Sequence, residues 1–154
     1  MDKDIAVQSL TDTMAKFTAY IGKRLPKDVK SKLIELRTLE TNPLAKSVYD
    51  SMEENQQAAD KLNRPSCQDT GVIQYFVEAG ANFPLLGELQ DILSEATAEA
   101  TRIGPLRHNA VETFDEKNTG TNTGTQIPWL DWRIVPELDT CTIDVYMAGG
   151  GCTL

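Results

Sequence analysis

Histidine is nearly missing from this sequence: His108 is the only one in 154 residues. A His-x-x-His zinc site and a histidine triad within one chain are thereby excluded. Cysteine is sparse as well. Cys67, Cys141 and Cys152 are an odd number with no CxxC spacing, so no short disulfide framework is encoded. No apolar run approaches the ~20 residues of a membrane helix. Met1-Asp2-Lys3-Asp4 opens onto an amphipathic pattern rather than an apolar signal core, so a cytoplasmic protein with reduced thiols and no membrane partner is expected. Basic charge is outweighed, with 15 Lys+Arg against 23 Asp+Glu and a net charge of −8, which argues against nucleic acid as a partner. There is no Gly-Lys-Ser/Thr for a phosphate loop. Gly149-Gly150-Gly151 is not followed by the helix of a dinucleotide fingerprint.

What is present is globular. Apolar residues make up 40% and charged residues 25%, and a chain this long buries about 68–70% of its unfolded surface in a real core. Val7, Leu10, Met14, Phe17 and Ile21 recur at helical steps and predict a first helix ending at Gly22. Pro26 opens a second, lined by Val29, Leu33 and Leu36; Asn42-Pro43 opens a third, with Leu44, Val48 and Met52 at steps of four, running to about Leu62. Pro65 ends the helical region. Val72–Val77 is β-branched and aromatic, the pattern of a buried strand. A helix through Leu86, Leu89, Ile92, Leu93 and Ala96 ends near Gly104-Pro105. Two strands follow, Trp129–Val135 and Thr140–Met147, with Pro136–Asp139 read as a hairpin-type connection. The expected class is α+β: one unit over 1–154, helical over 1–62, with a mixed sheet and site loops over 63–154.

Two strings carry candidate chemistry. In Arg64-Pro65-Ser66-Cys67-Gln68-Asp69-Thr70-Gly71 a proline-stiffened loop presents a thiol, suited as thiolate to iron or zinc, with an amide and a carboxylate beside it. The competing reading is a turn capped by Asp69, with Cys67 packed inward. In Pro105-Leu106-Arg107-His108-Asn109 the Arg107 fork suits a carboxylate held by two parallel hydrogen bonds. The competing reading there is a surface ion pair and a solvated His108. The turn-former run Asn118–Thr125 and the glycine run are read either as anion-contacting turns or as flexible linkers.

These strings, together with Phe83-Pro84-Leu85-Leu86-Gly87-Glu88-Leu89, Asn118-Thr119-Gly120 and Ala148-Gly149-Gly150-Gly151-Cys152-Thr153-Leu154, occur in one order. The chain resembles the N-terminal part of the alpha-type chain in the iron–sulfur class I fumarase/tartrate dehydratase family. The resemblance implies a hydro-lyase that removes water from a hydroxy-dicarboxylate, tartrate or alternatively malate/fumarate, and a [4Fe–4S] cluster held by three cysteines with one iron left open. It makes Cys67 the first cluster ligand. It places Gln68, Asp69, Arg107 and Gly150 on the dicarboxylate, with Asp69 also catalytic. His108 is not assigned the base. A beta-type subunit and a hetero-oligomer are implied as well. The family pattern puts the other two ligands beyond the glycine run, so Cys141 and Cys152 are not recruited. The sequence therefore reads as an incomplete unit, a truncated product, an excised domain or a subunit completed by another chain. A fragment that only associates with a partner is the non-enzymatic alternative.

Overall fold

The computed structural model describes residues 2–149. Helix α1 spans Lys3–Ile21, with Asp2 as its N-cap accepting from the Asp4 amide. Helix α2 spans Lys27–Leu39, and α3 spans Pro43–Leu62 with Asn42 capping the Leu44 amide. Strand β1 spans Val72–Gly80. A 3-10 turn over Leu86–Glu88 leads into α4, Leu89–Ile103, and strands β2 (Trp129–Val135) and β3 (Cys141–Ala148) follow. The α+β class holds, and the sheet is mixed, in the order β2-β1-β3.

β1 is the central strand. It pairs in parallel with β2 and antiparallel with β3. The reading of Pro136–Asp139 as a hairpin is therefore corrected: β2 and β3 are not neighbours but take opposite edges of β1. Their connection passes over the end of β1, where the amides of Gly80, Ala81 and Asn82 donate to the carbonyls of Thr140, Val135 and Leu138 at 2.8–2.9 Å. A side chain at Gly80 would meet the Leu138 carbonyl at 2.1 Å, so the crossing needs glycine beneath it.

Alternation along β1 decides the layers. Ile73, Tyr75, Val77 and Ala79 are buried under α1 and α4, while Phe76 and Glu78 on the opposite face are exposed. The strand is thus buried on one face only, not on both as its apolar run suggests. α1 also turns differently from the predicted stripe. It buries Thr11, Met14, Ala15, Thr18 and Ala19, and Phe17 is exposed. The reason is close helix packing: α4 meets α1 through Ala96, Thr97, Ala100 and Thr101, and a side chain at Gly104 would come within 2.9 Å of Ala19. Small residues permit that approach where phenylalanine would not.

Helices α2 and α3 form an arm joined by the Arg37–Asp50 ion pair. α2 buries no residue, and Leu39, Leu44 and Val48 are exposed. A cleft of about 380 Å³ opens between the arm helices and the end of α1, beside Tyr20, Leu33 and Met52. No helix among the described residues is long and apolar enough to cross a membrane.

Candidate functional site

The loop between α3 and β1 is held at several points. The Ser66 amide donates to the Gly22 carbonyl at 3.2 Å, and Asn55 donates to the Ser66 carbonyl at 2.6 Å, fixing the loop entrance to α1 and α3. Asp69 accepts the Gly71 amide at 3.1 Å, as expected of a capping carboxylate. Gly71 has φ +80°, and a Cβ there would lie 2.4 Å from the Ala148 carbonyl and 2.7 Å from the Gly149 nitrogen. Only glycine fits this close approach, which sets the loop against the end of β3 and the start of the glycine run.

The same loop is tied to the segment after α4. The buried Thr70 hydroxyl accepts the Arg107 amide at 3.1 Å, and the Asn109 amide side chain donates to the Gly71 carbonyl at 2.8 Å. Asn122 closes the arrangement from beneath. It is buried and left-handed at φ +57°. Its side-chain oxygen accepts the Asn109 amide, and its nitrogen donates to the Arg107 carbonyl at 2.8 Å and to the Thr101 hydroxyl at 3.1 Å. Asn118 donates to the His108 carbonyl at 2.7 Å and caps the Gly120 amide at 2.8 Å. The Asn118–Thr125 run is therefore scaffold for the Arg107 segment rather than a flexible linker. Asn109 and Asn122 are scaffold positions that the sequence does not single out within their strings. The sole signal was the excess of turn formers in 118–125, because nothing local tells which backbone an asparagine will reach.

Three strings far apart in sequence thus converge at one end of the sheet: 66–71, 105–109 and 148–149. Cys67, Gln68 and Arg107 are exposed, and Asp69 is half-buried. An inward-packed Cys67 is ruled out. Among the described residues the Arg107 guanidinium has no acidic partner. Gly150 and Cys152 lie outside the described residues. Cys141 is partly buried beside the core at the far end of β3, and burial pushes its thiol pKa up, the opposite of what a ligand thiolate needs. No group of three or more His, Cys, Asp or Glu able to hold a metal ion occurs among the described residues. At this site the described residues supply one exposed soft donor, Cys67.

An α+β scaffold with a polar loop cluster at the end of a mixed sheet is the class these elements define. Within that class the chain belongs to the fumarate hydratase (Fumerase) family, whose model matches residues 11–154. It is 56% identical over 153 residues to the L(+)-tartrate dehydratase subunit alpha of Escherichia coli K12, covering 99% of this chain and 50% of that one. The same-named subunit of Escherichia coli O157:H7 is 57% identical with the same coverage. A putative fumarate hydratase class I of Geobacillus stearothermophilus is 26% identical over 147 residues, 95% of this chain and 28% of that one. The chain spans about half the length of the tartrate dehydratase relatives, corresponding to their N-terminal half.

Proposed function

We propose that this chain supplies the substrate-facing loops of a hydro-lyase that eliminates water from a hydroxy-dicarboxylate, with L(+)-tartrate as the substrate. The supporting observation is the convergence of the Cys67–Gly71 loop, the Arg107 segment and Gly149 on one place, pinned by Gly71, Thr70, Asn109 and Asn122. Arg107 grips one carboxylate through parallel hydrogen bonds and favours the charge that builds beside it. Gln68 and Asp69 orient the substrate's hydroxyl-bearing carbons, and Gly150, outside the described residues, is assigned to the substrate with them. The proton leaves to a base outside these residues and the hydroxyl departs from the neighbouring carbon, so no net oxidation occurs. Cys67 is one of three thiolates for a [4Fe–4S] cluster, the others coming from outside this chain. Such a cluster supplies a Lewis-acidic iron with an open position. Malate/fumarate is the second reading, favoured by the family model and the Geobacillus relative.

The test assembles the chain with the remaining alpha half and a beta-type subunit under anaerobic conditions. Iron and sulfide are expected in the assembled protein, with turnover of tartrate. Cys67→Ala is expected to lose both the cluster and the turnover. Arg107→Lys is expected to keep iron and raise KM, because an ammonium cannot reproduce the planar fork. Retained cluster and turnover in Cys67→Ala would overturn the ligand assignment.

A further inference from the structure

We propose that the uncovered face of the sheet is the seat of the polypeptide that follows the matched stretch in the longer family chains. This rests on family membership and on the fold, not on the proposed chemistry. α1 and α4 close one face of β1, although on that face β2 keeps Trp132 and Ile134 38% and 50% exposed. On the other, Gln74 of β1 pairs with Trp129 of β2 and Tyr146 of β3, and Phe76 lies two residues along. Paired residues share a face, and diagonal neighbours lie about 7–8 Å apart. Three aromatic side chains therefore surround one glutamine, with Trp129 54%, Tyr146 59% and Phe76 41% exposed. Asp131 and Asp144 flank Phe76 on the same face, and Glu78 and Arg133 form a cross-strand ion pair at 2.8 Å two residues further along.

Several observations name the occupant. Parallel strand pairs such as β1–β2 are ordinarily covered on both faces, whereas here β1 is covered on one face and β2 buries no residue on either. Aromatic side chains clustered in the open mark a contact surface. The relatives continue for as many residues again beyond the matched stretch, of which this chain covers 50%. β3, an edge strand of this same sheet, ends at Ala148 and the matched family stretch ends at Leu154, so a chain turning back over the strands after it has the aromatic cluster beside it.

The experiment joins the chain after Leu154 to the portion of the E. coli K12 relative beyond the matched stretch, in a Trp132→Phe background, and follows Trp129 fluorescence. In the joined protein the acrylamide quenching constant is expected to fall severalfold relative to the chain alone, with emission shifted to the blue. Unchanged quenching overturns the proposal. So does protection of Trp129 that rises with concentration in the chain alone, which would make a second copy the occupant. A second measurement covers the case of a joined protein that does not fold. The downstream half is co-expressed as a separate polypeptide, and the wild-type chain is expected to co-purify with it. The Phe76→Asp/Trp129→Asp variant is expected to lose it, and Leu44→Asp to keep it. The reverse pattern overturns the proposal. Neither readout uses iron or catalysis, so its failure is distinguishable from a failure of the hydro-lyase reading.

Discussion

Asn122 shows how much a single side chain decides here. Three hydrogen bonds from one buried amide reach the backbones of Asn109 and Arg107 and the Thr101 hydroxyl. Asn122→Ala leaves a backbone donor and a backbone acceptor unpaired, at a cost of about 1–3 kcal/mol. Hydrogen exchange is expected to accelerate most at Asn109 and its neighbours, with protection in α1 retained; uniform loss of protection would show a global effect instead. Gly71 is equally constrained, with φ +80° and the Ala148 backbone against it. Gly71→Ala combines a left-handed alanine with a backbone clash and is expected to destabilise the chain by more than about 2 kcal/mol in urea unfolding. The identity of Gly71 was readable as a turn former beside Asp69. Its partner was not, because Ala148 lies far along the chain and only the β1–β3 register brings it near.

Among the elements, β1 carries the architecture. Its Tyr75 hydroxyl sits between Thr18 of α1 at 3.1 Å and Thr97 of α4 at 3.0 Å, with Thr97 donating onward to the Leu93 carbonyl at 2.8 Å. Thr97 has spent its proton on that carbonyl, so Tyr75 donates to Thr97 and accepts from Thr18. Tyr75→Phe breaks this relay and is expected to cost about 1–2 kcal/mol, seen as a lower urea midpoint. Burial holds the Tyr75 hydroxyl above its ordinary range, because the phenolate would be desolvated. Free tyrosine ionises near about pH 10, and the folded value is higher. The stabilisation is therefore complete below that pH and lost as pH rises through the folded value. The wild-type chain is expected to lose stability in alkali, and Tyr75→Phe to show a weaker slope. Helix boundaries were legible from Gly22, Asn42-Pro43 and Pro65, since caps and proline act locally. The buried face of α1 was not. An apolar stripe ranks side chains by hydrophobicity, whereas close packing against α4 selected threonine and alanine.

At the scale of the molecule, the exposed arm is the main liability. Leu39, Leu44 and Val48 are 68%, 75% and 54% exposed on helices that bury almost nothing. Surfaces of that kind mark interfaces. The isolated chain is expected to self-associate at high concentration, as measured by light scattering, and Leu44→Glu/Val48→Glu to return it to a monomer. A wild-type chain that stays monomeric throughout would show that the arm is tolerated in water.

The sequence by itself determined the number and order of elements, the loop carrying Cys67, Gln68 and Asp69, the Arg107 segment and the family. All of these are written in short-range chemistry: proline and glycine punctuation, caps, β-branched runs and contiguous motifs. Tertiary structure alone decided that β2 and β3 flank β1, that 118–125 is scaffold, and that 66–71, 105–109 and 148–149 share one corner. Those outcomes depend on strand register and on which distant carbonyl an amide reaches, and such pairings exist only once the sheet has formed.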